Sequence, residues 1–419
     1  MALRYAIATG NWSNPAIWDS GTVPVLTDDV RANGFTVTID VDINVSQIAT
    51  VALAPAVAGG TFSVITSRSI TANINAGSTI CLQSASGISV TIIGNINAGN
   101  GNAIDGVRFT NAGSILNVTG NVTAGSSVNV QYGINSSGTV NFIGNATGAA
   151  IGFGSAAINI NAGGVLNLTG IVTGGSAGNT SYGVQNAGNG TYSGTITGGS
   201  SGSSIGVRIT AGVHTINSNC FGGNSNGSHG ISVASSIATF NGNCTGGGFS
   251  GSHACNISSS TAMFNGNCTG GSTTGSNAVQ ISTSTATFNG SITGSAISSG
   301  ALAVSVTDAA SNVVISTMTF GSLGTVPVSG LIKFKNTAPT VTVLKANNTN
   351  QTLVDPSTTD IPVIGNVRNG ITYASGSLTG TLNVPSPLTV ALGVPTDNTV
   401  GSGVITIGDM GTLLASYNV

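Results

Sequence analysis

Three groups of side chains in this 419-residue sequence have types and spacings that suggest chemistry. His229 and His253 stand 24 residues apart, Cys220, Cys244 and Cys268 repeat at the same interval, and Asp28, Asp29, Asp40 and Asp42 crowd near the amino terminus. Paired histidines suggest a metal, but a zinc site usually takes four ligands. Asn277 holds the next place in the histidine series and no acidic residue lies nearby. The pair therefore reads as solvent-exposed turn histidines. His214 shares the parity of Ile216 and aligns with Ala238, which puts it at a core edge with no assigned role. In-register cysteines on parallel strands point the same way, an orientation that suits the disulfide dihedral poorly. A buried thiol ladder is the preferred reading. The four aspartates suit a cation, yet solvated or capping roles are commoner.

Catalysis finds little to work with. Glycoside hydrolysis usually needs two flanking carboxylates, and from Ile43 to Thr307 the only acidic residue is Asp105. A lyase needs a base with a cation or metal, and the same stretch offers only Arg68, Arg108, Arg208 and three histidines. The glycine-rich corners lack the Gly-Lys-Ser/Thr of a phosphate loop and the aspartate of a calcium nonapeptide. Sugar sites usually display aromatic platforms; Tyr132 and Tyr182 near corners are the weak candidates. The expectation is a non-enzyme with no catalytic, cofactor or metal residues.

The elements that carry these residues follow from composition. Glycine supplies 63 residues, charged residues are 5%, and glutamate is absent, which disfavours helices. Apolar residues instead fall in short runs between Gly, Ser, Thr and Asn, the signature of many short strands. A net charge of -2 leaves no basic footprint for nucleic acid and no polybasic membrane patch. No run nears the roughly 18 apolar residues that cross a bilayer, so no membrane span is expected. The first residues show no signal-peptide pattern. Five cysteines, an odd number, form no disulfide framework.

A repeat sets the architecture. Ile92, Val118, Phe142, Leu168, Tyr192, Ile216, Phe240, Phe264 and Phe288 form one apolar column with steps of 24 or 26 residues. Val172, Ile196, Cys220, Cys244, Cys268 and Ile292 form a second, and Val207, Ile231, Cys255 and Val279 a third. Three columns imply three strands per coil, joined by turns such as Thr245-Gly246-Gly247-Gly248, in which glycine supplies positive φ. The fold class is all-β, a parallel β-helix of ten or so coils, roughly 50 Å long at ~4.8 Å per coil. Outward asparagine ladders, as at Asn241 and Asn265, fit the same stacking.

Proline divides the chain. None occurs from Ala56 to Val326, as central ladders require, and the lysines Lys333, Lys335 and Lys345 appear only beyond it. The expected domains are an amino-terminal cap and attachment region (1–60), the β-helix (61–320) and a carboxy-terminal β region (321–419). The cap holds both tryptophans, Trp12 and Trp18. In the last region, candidate strands cover Leu331 to Phe334, Thr340 to Leu344, Ile371 to Tyr373 and Val404 to Ile407. Asn369-Gly370 marks a hairpin turn, and Asp409 caps a short terminal helix.

Two segments carry a resemblance. Gly10-Asn11-Trp12-Ser13-Asn14-Pro15-Ala16-Ile17-Trp18, with Val23-Pro24 and Asp28-Asp29-Val30 after it, resembles a module that opens repetitive β-solenoid proteins of phages and bacterial surfaces. Val367-Arg368-Asn369-Gly370-Ile371-Thr372-Tyr373, then Thr379-Gly380-Thr381-Leu382 and Gly393-Val394-Pro395, is similar to segments of virion structural proteins, notably of aquatic phages. The resemblance implies a β-helical bacteriophage virion appendage of the fibre or tailspike kind, often a homotrimer, and transfers no catalytic residue. The expected function is a non-enzymatic shaft in a virion assembled in the host cytoplasm. Its expected partners are further copies of itself, other virion proteins and a host surface glycan met at an end. The alternatives are a bacterial surface adhesin and a tailspike polysaccharide depolymerase.

Overall fold

The computed structural model describes residues 2–99, 104–125, 130–150, 154–176, 180–293, 304–307 and 311–315, with short strands at 331–334, 372–373, 378–379, 395–396 and 399–400. It is a parallel β-solenoid. Two parallel sheets run the length of the stack, one of 22 strands and one of 13. A typical coil lays Ile231–Ala234 in the smaller sheet, then Ile237–Phe240 and Cys244–Thr245 in the larger. One strand of the smaller sheet per coil makes the stack longer than ten coils, about 60 Å at the usual spacing.

The three apolar columns are reproduced residue for residue. Val118 pairs with Ile92 and Phe142, Ile216 with Tyr192 and Phe240, and Phe264 with Phe240 and Phe288. Cys244 pairs with Cys220 and Cys268, and Cys255 with Ile231 and Val279. Strand periodicity of two explains the result: Ala238 and Phe240 turn inward while Ile237 and Thr239 turn out. The rings of Phe240, Phe264 and Phe288 stack nearly parallel, with centroids 4.5 and 4.7 Å apart. On the wet face the amides of Asn217, Asn241, Asn265 and Asn289 form a ladder of 2.7–2.8 Å hydrogen bonds.

Each corner satisfies its backbone through the neighbouring coil. Where the two strands of the larger sheet meet, the N–H of Asn243 donates to Asn219 Oδ1, that of Asn267 to Asn243 Oδ1, and that of Ser291 to Asn267 Oδ1, at 2.9–3.0 Å. Earlier coils make the same bond, Asn121 N–H to Asn95 Oδ1 and Asn145 N–H to Asn121 Oδ1, with a glycine one residue before it. Gly144 has a φ of 147°, and a Cβ on it would collide with the carbonyl oxygen of Gly120 in the preceding coil. At the corner before the larger sheet, the N–H of Ser236 donates to Ser260 Oγ and that of Ser260 to Ser284 Oγ, at 3.1 and 3.0 Å.

The amino-terminal segment contributes coils of its own. Leu3–Tyr5 pairs in parallel with Asp29–Arg31, which pairs with Ile43–Ala49 and so with Arg68–Asn75. Gly10–Asn11, Thr36–Thr38 and Thr61–Ser63 begin the smaller sheet. Trp12 and Trp18 meet edge to face at 4.9 Å over Phe62 and fill the core at this end, each 1% exposed. A short 3-10 turn, Pro15–Ile17, is capped by the Asn14 side chain.

Leu331–Phe334, expected as a strand, pairs in parallel with Asn312–Ile315. Thr372–Tyr373 and Leu378–Thr379 form an antiparallel pair, as do Pro395–Thr396 and Thr399–Val400. The expected strands at 340–344 and 404–407, the turn at Asn369-Gly370 and the helix at Asp409 lie outside the described residues.

Phe264→Asp places a carboxylate in a dry column with no partner, which costs several kcal/mol. Asn265→Ser removes two exposed ladder bonds, a loss of about 1 kcal/mol. Thermal melts should show a large drop for the first variant and a small one for the second; equal melting temperatures would mean the faces are inverted.

Candidate functional site

Polar and titratable side chains collect on one side of the shaft. In the smaller sheet, Arg108, Asn135, Asn159, Gln185, Arg208, Ser232, Asn256 and Gln280 follow one another in register on the outward face. Beside them, at the mouths of the same strands, lie Asp105, Tyr132, Ala156, Tyr182, Ile205, His229, His253 and Asn277. The charged residues between positions 69 and 307 are Asp105, Arg108 and Arg208, and all of them belong to this strip.

At one end of the strip Asp105 is 1% exposed. Arg108 Nε donates to its Oδ2 at 2.6 Å and Asn135 Nδ2 at 3.0 Å. Burial pushes the Asp105 carboxyl up, against the opposing pull of these bonds. Asn159 continues the chain by donating to Asn135 Oδ1 at 3.1 Å. Further along, the Arg208 guanidinium sits 5.3 Å from the centroid of the Tyr182 ring. Tyr182 itself is 5% exposed and packs with Ala156, Ile205 and Tyr132, so it is not an open sugar platform.

The histidines are not free turn residues. His229 is half-buried and His253 buried, and their rings stack at 5.1 Å with 7° between planes. The reason is the corner. The N–H of His253 donates to His229 Nδ1 at 3.4 Å, and the N–H of Asn277 donates to His253 Nδ1 at 3.1 Å. Each imidazole thus does for the coil above what asparagine and serine do at the other corners. Burial lowers both rings, with the neighbouring His253 adding to the effect on His229, to about 3 for His229 and about 4 for His253. His214 is buried in the core, pairs with Ala238 as its parity implied, and stacks on Tyr192.

The amino-terminal aspartates serve separate contacts. Asp28 meets Arg4 and the N–H of Val25, Asp29 meets Arg31, Asp40 accepts from Ser13, and Asp42 accepts from the N–H of Ser69. The cysteine ladder forms as expected and all five thiols are free and buried. What the spacing did not reveal is that Cys255, from the smaller sheet, reaches across the core to Cys244, with the sulfurs 3.3 Å apart. Among the described residues, Cys220, Cys244 and Cys255 are the group of three metal-ligating side chains whose donor atoms converge, all within 4.8 Å.

The strip presents amides, guanidinia and imidazoles at the coil spacing. It can hydrogen-bond a polar ligand at many points but brings no second carboxylate to Asp105. In the sequence the signal for it was the shared register of Arg108 and Arg208 with the outward residues of the coils between.

Because both histidines titrate lower in the folded chain than the usual 6.5, the unfolded chain takes up protons first. The stability they support is full above about pH 6.5 and is lost as pH falls toward their folded values. Melting temperature should therefore fall between pH 7 and pH 4.5 (~6.5 being the unfolded midpoint), and His229→Asn with His253→Asn should flatten the slope. An unchanged slope in the double variant would refute the bracket role.

Comparison of the chain with protein-family models, with curated proteins and with solved structures finds no match.

Proposed function

We propose that the chain is the non-enzymatic shaft of an elongated bacteriophage virion appendage, assembling with further copies of itself and holding other virion proteins at a distance from a host surface. The carrying observation is the state of Asp105, the one carboxylate between residues 43 and 307. It is buried and held by Arg108 and Asn135, so it has neither the partner carboxylate nor the access that glycoside hydrolysis uses. The stiff coil stack and the neutral, asparagine-lined face suit a spacer. The resemblance of residues 10–30 and 367–395 to virion and surface β-solenoid proteins supports the setting.

In this reading the host surface is met at an end of the shaft, and the lateral strip is a polar side face along it. Self-assembly has support from the exposed aliphatic side chains on the larger sheet, among them Ile143 at 58%, Val213 at 56% and Ile237 at 53%. A smooth, nearly uncharged wall offers little electrostatic barrier to lateral packing.

Incubation with host surface polysaccharide should release no oligosaccharide. Sustained release that Asp105→Asn abolishes would make the chain a depolymerase. Light scattering of the full chain should report an elongated oligomer, a trimer by the resemblance; a stable monomer at micromolar concentration would contradict the assembly.

A further inference from the structure

The convergence of thiols in the core goes beyond what a shaft requires. Three cysteines are explained by duplication of one repeat: Asn219-Cys220-Phe221-Gly222-Gly223, Asn243-Cys244-Thr245-Gly246-Gly247 and Asn267-Cys268-Thr269-Gly270-Gly271 carry the same pattern. Cys255 is not explained this way. Its column otherwise holds Val207, Ile231 and Val279, and its strand lies in the other sheet. It is the residue that turns a ladder into a cluster.

We propose that Cys220, Cys244 and Cys255 form a three-coordinate site for a soft monovalent metal ion of the Cu(I) class. The sulfurs of Cys244 and Cys255 are 3.3 Å apart, and all three sulfurs lie within 4.8 Å of one another, approaching from two sheets and three successive coils. Thiolate-rich sites select Cu(I), zinc and iron–sulfur centres, and coordination number decides among them. A structural zinc site is tetrahedral. The fourth cysteine of the region, Cys268, is two coils from Cys220, roughly 9.6 Å away at the coil spacing, and cannot close a tetrahedral cage with it.

The three thiols are 0–1% exposed. Each coordinates as the thiolate, so binding breaks three S–H bonds, forms three metal–sulfur bonds and releases three protons to solvent, with no change of oxidation state. Because the site is sealed, the ion enters as the coils stack during folding.

The test is metal analysis of the full chain expressed in medium supplemented with copper and zinc and purified without oxygen. Wild type should carry about one copper per chain, with sulfur-only coordination by X-ray absorption. Cys255→Val, which places the residue found at Val207 and Val279, should keep the wild-type circular dichroism and lose copper roughly tenfold or more. Cys81→Ala, at a cysteine outside the cluster, should match wild type. Equal copper in wild type and Cys255→Val would overturn the proposal, as would zinc in place of copper. A Cys244–Cys255 disulfide found by peptide mass in the same preparation would also overturn it, assigning the pair to a cross-link.

Discussion

Everything in this chain depends on vertical register: each residue stands over its counterpart one coil below, and the parallel backbone ladder holds it there. A parallel ladder alone does not choose which residues stack, because slipping by one residue exchanges the core and solvent faces. The choice is made by side chains that gain from meeting their own kind. Phe240, Phe264 and Phe288 stack ring on ring inside, while Asn241, Asn265 and Asn289 bond amide to amide outside. Both faces reward the same register, so neither can slip without loss on the other.

Corners are where such a stack is most exposed to failure, since a turning backbone leaves N–H groups that the strand ladder does not reach. The chain meets this with short side chains that reach one coil along the axis. Asparagine acts at one corner and serine at the second, and the histidine pair does the same on the lateral strip. Where the turn needs positive φ and close approach to the coil below, as at Gly144, glycine stands just before the bracketing asparagine. The abundance of Asn, Ser and Gly is therefore a structural requirement, and it leaves few positions for charge. Between positions 69 and 307 the few charges present, Asp105, Arg108 and Arg208, sit along a single edge of the smaller sheet.

Much of this was legible in the sequence because columns of like residues are visible as a fixed interval. The column from Ile92 to Phe288, the three strands per coil and the outward asparagines could all be read that way. The first coils were not, because their steps are irregular: Ile43 pairs with Ile70, Ile70 with Ile92 and Ile92 with Val118, at three different intervals. A period search passes over them, and residues 1–60 look like a separate cap. Burial of His229 and His253 was missed because polar residues at a corner resemble solvent-exposed turns; here the two rings stack on each other and the Asn256 amide meets His229 Nε2 at 3.4 Å. The Cys244 to Cys255 contact was missed for a geometric reason. Periodicity compares residues within a column, and this contact runs between columns on opposite sheets.

Chemical cross-linking of cysteines introduced into the wet asparagine ladder measures the register itself, since the native thiols are buried and the ladder faces solvent. Asn241→Cys with Asn265→Cys places two thiols on adjacent coils, about 5 Å apart, while Asn241→Cys with Asn289→Cys separates them by about 10 Å. A reagent spanning only the shorter distance should bridge the first pair and leave the second open. Efficient bridging of the second pair, or none of the first, would contradict the in-register solenoid.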